Sequence, residues 1–265
     1  MNIKTKLENE VWRSDTYFLL AKKGSMDINH PGIKILQKLS YNARNILDLG
    51  CGEGTRLNLL LGRRTNGTGV DISPKALEMG KKSYPKIKFI KADLEKIPLR
   101  SESFDLVYSA YVFEHLTNPA KVLDEAIRLI SPKGRLVLLS PNYGAPNRAS
   151  PPFKGSRIKK LIEGIFNDFW NLFAVGNLVW RRVEPIVNKD RYEMDWDTTV
   201  EPYLGSFLSY IKSLNLKIEQ YSSCWSEELP DARIYQKLFR ILGESGIYPF
   251  NLWGPHLVVV AKKIL

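Results

Sequence analysis

An aspartate followed by three alternating glycines is the part of this chain whose residue types and spacing point most directly to chemistry. Asp48 lies in the apolar run 46–49, and Gly50, Gly52 and Gly54 follow it. Glycines lack a Cβ atom, so the backbone N–H groups of such a turn can approach a ligand closely. A helix-compatible stretch comes next, which places a helix N-terminus beside the turn. Strand, glycine turn and helix together predict a site for a nucleotide-like ligand.

The elements that must position this turn alternate between strand-like and helix-like patterns. Strands are predicted at 45–49, 67–72, 87–91, 104–109, 135–140, 216–221 and 256–261. Helices are predicted at 32–39, 55–61, 74–82, 119–130, 158–180, 201–214 and 231–243, with Pro132-Lys133-Gly134 as a break. Short β-branched and leucine-rich strands separated by helices predict an α/β fold, in which a parallel sheet carries helices on both faces.

Composition narrows the class of protein. The chain has 265 residues, a net charge of +11, 44% apolar residues and two cysteines, Cys51 and Cys224. No Cys/His cluster has the spacing of a zinc site, so we expect a reducing compartment. We also expect no signal peptide and no membrane span, which favours a cytoplasmic location. The positive charge favours an acidic partner or a basic solvated surface.

Several motifs in the order found here resemble those of class I S-adenosylmethionine-dependent methyltransferases that act on small molecules, of the "methyltransferase type 11" group. The matching run extends over about residues 45–143, with a weaker match at the last strand. It contains the glycine turn, Asp71, Asp93, the segment Phe104-Asp105-Leu106-Val107 before Ser109, and Glu114-His115-Leu116 before Pro119. The turn reads Gly-x-Gly-x-Gly, unlike the Gly-x-Gly-x-x-Gly of dinucleotide enzymes.

The resemblance implies a Rossmann-like, doubly wound, seven-stranded and mostly parallel sheet whose last strand is antiparallel, with an inserted helical lid. It implies one methyltransferase domain over 1–265. Within it we expect an N-terminal helical segment (1–44), a cofactor-binding core (45–143), an inserted helical and aromatic lid (144–205) and the C-terminal part of the sheet (206–265).

The resemblance also assigns the cofactor, S-adenosyl-L-methionine, and its contacts. Asp48 is expected near the methionine ammonium or in ordering the turn, and Asp71 on the ribose hydroxyls. Asp93 is expected on the adenine amino group. Asp71 could instead cap the next helix, although Ser73 suits that place better, and Asp93 could be a loop-capping residue. The implied cofactor-binding residues are Asp48, Gly50, Cys51, Gly52, Asp71, Ile72, Asp93, Leu94 and Ser109.

His115 is the candidate catalytic residue, because an imidazole titrates near neutrality and suits a general base. The alternative is that His115 packs or caps locally. In related ubiquinone-pathway O-methyltransferases an additional acid precedes a similar Glu-His pair and is linked to metal use. Tyr111 stands at that position here, so we expect no metal. Tyr111, Asn142 and Tyr143 are further candidates for the rim of the site.

The methyl acceptor is expected to be a small molecule or a glycan, methylated at oxygen. Alternatives are N-methylation of a small metabolite, a membrane-associated lipid or quinone acceptor, and an NAD-dependent oxidoreductase. Nucleic acid is disfavoured as a partner, because the chain after the fourth strand reads Ser109-Ala110-Tyr111-Val112 and lacks the Asp/Asn-Pro-Pro-Tyr/Phe motif of enzymes that methylate exocyclic amines on bases. The segment 153–203 is aromatic, and we weigh three roles for it: packing on the sheet or a second copy, a lid over the acceptor, or peripheral contact with the inner face of a membrane. Its aromatic residues are Phe153, Phe166, Phe169, Trp170, Phe173, Trp180, Tyr192, Trp196 and Tyr203.

Overall fold

The computed structural model of the protein describes residues 3–12, 15–26, 28–171, 178, 180–188, 192–224 and 234–264. Its strands are β1 (Asn45–Leu49), β2 (Asn66–Asp71), β3 (Lys88–Lys91), β4 (Phe104–Ala110), β5 (Ile130–Pro141), β6 (Arg181–Arg182), β7 (Val200–Glu201), β8 (Leu216–Ser222) and β9 (His256–Lys263). Its helices are α1 (Ile3–Glu10), α2 (Asp15–Ser25), α3 (Pro31–Ser40), α4 (Thr55–Leu60), α5 (Pro74–Ser83), α6 (Pro119–Leu129), α7 (Arg157–Asn171), α8 (Leu204–Ile211) and α9 (Ile234–Glu244).

Seven of the strands form one sheet in the order β3-β2-β1-β4-β5-β9-β8. The pairs among β1 to β5 are parallel, whereas β9 runs antiparallel to both β5 and β8. The predicted Rossmann-like sheet with an antiparallel last strand is therefore confirmed. The carboxyl ends of β1, β2, β3 and β4 meet at one edge, where sheets of this type bind their ligands.

Alternate residues of the central strands supply two apolar cores, one on each face of the sheet. In β5, Leu136 and Leu138 belong to the core that includes α6 and α8. Val137 and Leu139 point the other way, into the core that includes α3 and α4. Because successive strand side chains alternate between faces, a strand covered on both sides is mostly apolar. This explains the largely apolar central parts of β1, β4 and β5 and confirms helices on both faces.

Helix starts follow the predicted capping chemistry. The Ser73 hydroxyl accepts a hydrogen bond from the Ala76 N–H at 3.3 Å, and the Asn118 side chain accepts one from the Lys121 N–H at 3.4 Å. A proline follows each cap at the first helical position, where its missing N–H costs nothing. Both helices begin where the cap residues predict.

The structure differs from the sequence-based expectation in three places. β5 begins at Ile130 rather than 135, and the predicted break at 132–134 lies inside it, where the pairing with β4 shifts register. The short ribbon β6–β7 was not predicted, and it shortens the helix predicted over 201–214. The helix predicted over 158–180 is described over Arg157–Asn171, and residues 178 and 180 are not helical, whereas 172–177, with Phe173, and 179 lie outside the described residues.

Candidate cofactor and acceptor site

The glycine turn after β1 has the conformation that its composition predicts. Gly50, Gly52 and Gly54 all have positive φ, at 77°, 54° and 83°, which glycine adopts without the strain that a Cβ atom would cause. A Cβ added at Gly50 would lie 2.5 Å from the side chain of Val112. One at Gly52 would meet nothing within 4 Å. The backbone at Gly52 therefore borders open space that a ligand can occupy.

That space is a cavity of about 430 Å³ at the carboxyl ends of the strands. Its walls come from the glycine turn and from the segments that follow β2, β3 and β4. The remaining sides come from α1, α2 and the loop before β7. The lining residues among the predicted site residues are Gly50, Cys51, Gly52, Asp71, Ile72, Asp93, Leu94, Tyr111 and His115.

Asp71 lies at the end of β2 with its carboxylate tied to two backbone groups. One oxygen accepts from the Gly52 N–H at 2.9 Å and the other from the Ser73 N–H at 2.8 Å. Burial raises its pKa, and these backbone hydrogen bonds act against that effect. An ionised carboxylate offers about four lone-pair sites, so Asp71 fixes the turn and can still accept from a ligand in the cavity.

Asp93 follows β3, and α1 places a cation beside it. Lys4 donates a hydrogen bond to one carboxylate oxygen, and the Glu95 N–H donates to the other at 3.1 Å. Burial opposes ionisation, but the hydrogen bond from Lys4 and that from the Glu95 backbone hold the pKa of Asp93 below its usual range. The loop-capping role and the cavity-facing position therefore coexist in this residue.

Asp48 and Ser109 lie behind the cavity wall rather than in it. The Tyr108 hydroxyl donates to Asp48 at 2.6 Å, and the Ser109 hydroxyl donates to the Leu49 carbonyl at 3.0 Å. Both contacts join β4 to β1 in the buried interior. Of the two roles predicted for Asp48, this geometry supports ordering of the turn. It gives Ser109 a partner within the sheet instead of a ligand.

Cys51 lines the cavity, but its thiol has the character of a packed side chain. Burial raises the pKa of the thiol well above its usual value, which lowers its reactivity because the thiolate is the nucleophile. A Cβ added at Gly69 of β2 would lie 2.6 Å from the Cys51 sulfur. The glycine at position 69 therefore makes room for the Cys51 side chain where the turn packs on β2.

His115 belongs to a cluster of charged groups at the far side of the cavity. Its Nδ1 lies 3.2 Å from the Asp197 carbonyl oxygen and 3.3 Å from the Asp197 carboxylate. Its Nε2 lies 3.7 Å from Glu114 Oε1. Burial acts to lower the pKa of His115, but Asp197, Glu114 and Asp195 outweigh it and raise the pKa to about 9. Since a ring that keeps its proton at neutral pH is a poor proton acceptor, this environment opposes the predicted general base.

The rim candidates differ in where the structure puts them. Tyr111 lines the cavity with a φ of 62°, and its hydroxyl lies 3.0 Å from His256 Nδ1. Tyr143 reaches the cluster indirectly, because its hydroxyl donates to the Asp195 carboxylate. Asn142 is buried and its side chain bonds the backbone at Leu252, Gly254 and Leu204. Its role in the described structure is to join loops.

Sequence reasoning missed cavity residues that come from distant segments. Arg56, in the first turn of α4, lines the cavity, donates to the Ala110 carbonyl at 3.2 Å and has a buried Nε without a hydrogen-bond partner among the described residues. Trp12 lines it from the end of α1, and its indole N–H donates to Asp197 at 2.9 Å. Asp195 lines it from the loop before β7. Apart from the position of Arg56 just after the glycine turn, no local signal marks these residues.

Comparison with known proteins agrees with the geometry. Residues 47–138 match the family model described as "Methyltransferase domain". A probable S-adenosylmethionine-dependent methyltransferase of Mycobacterium tuberculosis is 32% identical over 111 residues, which are 41% of this chain and 40% of that protein. Demethylmenaquinone methyltransferase of Thermotoga maritima is 35% identical over 103 residues, 38% of this chain and 45% of that protein. The chain thus matches less than half the length of either relative.

Solved structures extend the likeness in fold to nearly the whole chain. The plantazolicin methyltransferase in complex with S-adenosylhomocysteine (SAH) covers 99% of this chain and 96% of its own, with 15% identity and a TM-score of 0.56. A methyltransferase from Mesorhizobium loti covers 87% of this chain and 97% of its own, with 21% identity and a TM-score of 0.53. Residues 47–138 therefore carry a methyltransferase domain, and the chain has the fold of these solved methyltransferases.

Proposed function

We propose that this protein transfers a methyl group from S-adenosyl-L-methionine to an oxygen of a small molecule or glycan. The observation that carries the proposal is a single cavity bordered by the open backbone at Gly52 and by carboxylates at the ends of two adjacent strands, Asp71 and Asp93. The relatives that bear a methyltransferase name support the reaction.

The residues present fit this cofactor on two structural grounds. The space beside Gly52 is open because glycine has no side chain. A ligand can therefore lie directly against the backbone there. The Arg56 guanidinium lines the cavity next to the turn with an unpartnered buried Nε, which suits a carboxylate such as that of a methionine group. We propose that Arg56 holds this carboxylate, that Asp71 accepts from the ribose hydroxyls, and that Asp93 and Leu94 receive the adenine.

The cofactor, when bound, supplies an activated methyl carbon on a sulfonium. The chain then has to align an acceptor with that carbon and exclude water. We propose that aromatic side chains of the N-terminal segment exclude water, since Trp12, Tyr17 and Phe18 line the cavity. The acceptor is proposed to enter on the side of His115, Tyr111 and Asp195. A general-base role for His115 stays a prediction.

We also propose that the protein contacts a membrane surface through helix α7. Of its side chains that the structure describes, only Lys160 and Asp168 are buried. Lys160 donates to Glu201 and to the Tyr143 carbonyl, and Asp168 accepts from Trp253 at 2.8 Å and from Tyr203. The helix therefore packs through its polar side.

The apolar side of α7 faces outward. Its exposed large side chains are Ile158, Leu161, Ile162, Ile165, Phe166, Phe169 and Trp170, several of them about seven-tenths exposed. An outward apolar stripe with aromatic residues and a flanking Lys159 is the pattern of a helix lying in a membrane interface. The net charge of +11 favours an anionic lipid surface over a second copy of this chain, which would carry the same charge.

Calorimetric titration tests the proposed cofactor. SAH is expected to bind with a Kd of about 1–100 μM, and NAD is expected not to bind at these concentrations. Binding of NAD without binding of SAH would instead favour the oxidoreductase alternative. Transfer of labelled methyl groups to a panel of hydroxylated, amine-bearing and quinol acceptors then tests the acceptor class, and an amine as the sole acceptor would overturn O-methylation.

A further inference from the structure

Three side chains with metal-ligating atoms converge on one wall of the cavity. Glu114 and His115 come from the 3₁₀ turn Phe113–His115 after β4, and Asp195 comes from the loop before β7. Each offers one ligand atom, and these atoms all lie within 4.8 Å of one another. Two atoms bonded to one ion at about 2.0–2.3 Å lie at most about 4.6 Å apart, so small side-chain shifts would allow all three to bind one ion.

Glu114 supplies an independent indication that this wall is built for a ligand. Its side chain is completely buried, and its Oε1 has no hydrogen-bond partner among the residues that the structure describes. His115 Nε2 lies 3.7 Å from it, which is an ionic contact without a hydrogen bond. A buried carboxylate oxygen without a hydrogen bond is costly, and a cation at this point would remove that cost.

The other polar atoms of the three side chains are held by neighbours. The Ser140 hydroxyl donates to Glu114 Oε2 at 2.8 Å, Asp197 contacts His115 Nδ1, and the Tyr143 hydroxyl donates to Asp195. Metal ligands typically have such outer partners, and the carboxylate partner of a ligating histidine fixes its ring orientation. The arrangement turns Glu114 Oε1 and His115 Nε2 toward each other.

We propose that Glu114, His115 and Asp195 bind a divalent cation of the Mg²⁺ or Mn²⁺ class. The two carboxylates are ligands that suit such a cation, and binding through the imidazole would release the proton that His115 holds in the ion-free site. All three residues line the cavity, so further coordination positions are open to water or to an acceptor oxygen. No metal was expected at the Glu114-His115 pair because Tyr111 stands where an additional acid would precede it, and Asp195 supplies an acid from elsewhere in the chain.

The proposal deepens the proposed function and rests on it for its role. A hydroxyl oxygen bound to the cation has a lowered pKa, so its proton can leave to solvent water. The oxygen then forms a bond to the methyl carbon while the carbon–sulfur bond breaks and its electron pair stays on sulfur. The products are the methylated acceptor and the demethylated cofactor.

Direct Mn²⁺ binding tests the site without any need for turnover. Chelator-treated protein is titrated with Mn²⁺, and free Mn²⁺ is followed by electron paramagnetic resonance. We expect one ion per chain, and at least about tenfold weaker binding in Asp195→Asn. Asparagine is chosen because Asp195 has a φ of 64°, a conformation that asparagine tolerates. Glu193→Gln in the same loop removes an equal charge outside the ligand set and should bind Mn²⁺ as the wild type does.

Two results overturn the site: no saturable binding up to about 1 mM Mn²⁺, or equal affinity in Asp195→Asn and Glu193→Gln. Glu114→Gln is the second variant should Asp195→Asn fail to fold, with circular dichroism as the check. SAH titration of the same proteins separates the two proposals. If the wild-type protein binds SAH but not Mn²⁺, the metal site alone is removed, whereas Mn²⁺ binding by a wild-type protein that does not bind SAH removes the proposed function.

Discussion

At the scale of single residues, the carboxylates of this protein divide by what surrounds them. Asp71 and Asp93 reach the cavity, whereas Asp48 bonds to Tyr108 in the interior. Asp48 lies in β1, Asp71 ends β2 and Asp93 follows β3. These positions do not predict which of the three side chains reach the cavity. Their roles follow from whether packing covers the side chain, which determines both access to a ligand and the cost of charge.

Replacing Asp71 tests the ribose contact. We expect Asp71→Ala to weaken SAH binding at least tenfold, about 1.4 kcal/mol, because it removes an acceptor at the cavity wall and loosens the turn at Gly52. Asp71→Asn keeps one acceptor oxygen, so its affinity for SAH should fall less than that of Asp71→Ala. Asp124→Ala, on the exposed side of α6, is the control. An unchanged Kd in Asp71→Ala, measured by calorimetry, would show that the ribose assignment is wrong.

Asp48 is expected to make stability depend on pH. Burial raises the pKa of Asp48 from 3.8 to about 7, while Tyr108 and Arg56 act to lower it and Asp71 and Glu53 to raise it further. The folded state thus holds a proton between about pH 4 and 7 that the unfolded state releases. Stability should therefore fall as pH rises through this window.

The Asp48→Asn variant separates this effect from those of other buried acids. Without the cofactor, we expect its Tm to fall less than that of the wild type between pH 5 and pH 8, by several degrees. Part of the decline should remain, because burial also raises the pKa of Asp71, Glu114 and Asp168. Parallel Tm curves for the variant and the wild type would contradict the assignment.

At the scale of elements, α7 shows how an amphipathic pattern can mislead. Its apolar spacing is that of a helix packed on a core, and the sequence alone cannot reveal which side packs. Lys160 and Asp168 face inward because Glu201, Tyr203 and Trp253 provide polar partners there. The lid prediction for 144–205 is untested for α7, whereas Asp195 and its neighbours from the same segment do line the cavity.

The exposed face of α7 is tested with vesicles. We expect the protein to sediment with vesicles of anionic lipid at low salt and less at high salt, because salt screens the attraction between the basic protein and the anionic lipid. The double variant Phe166→Gln and Trp170→Gln should lose at least about tenfold in partitioning, since each aromatic ring contributes about 1.5 kcal/mol or more.

The control for this experiment is Tyr41→Gln, which removes an exposed aromatic residue after α3. It should partition as the wild type does. No sedimentation at low salt rejects membrane contact. A wild-type dimer that becomes a monomer in the double variant, measured by light scattering, would assign the face to a second copy. Among the described residues no helix is long and apolar enough to span a bilayer.

At the scale of the whole molecule, the cavity joins parts that are distant in sequence. Lys4 bonds to Asp93, Trp12 bonds to Asp197, and the Ser73 hydroxyl donates to the Trp12 carbonyl at 3.2 Å. A ligand in the cavity would therefore touch the N-terminal helices, the sheet and the loop before β7 together. Binding should couple to the stability of the whole fold.

Thermal unfolding measures this coupling. SAH at about 100 times its Kd should stabilise the fold by about 2.7 kcal/mol and raise Tm by about 5–10 °C. NAD at the same concentration serves as the control and should leave Tm unchanged. An equal rise with both ligands, or with neither, would contradict a specific site for S-adenosylmethionine.

The sequence determined the sheet and its glycine turn because these depend on local rules. Apolar runs define buried strands, glycines allow positive φ, and Ser73 and Asn118 start their helices by bonding N–H groups a few residues on. The methyltransferase class was predicted from the resemblance of the ordered motifs, from the glycine turn to Glu114-His115, to those of a known family. Tertiary structure decided what no local pattern encodes: the meeting of Glu114, His115 and Asp195, the inward polar side of α7, and the N-terminal wall of the cavity. Each joins residues that are far apart in the chain, and only packing sets those distances.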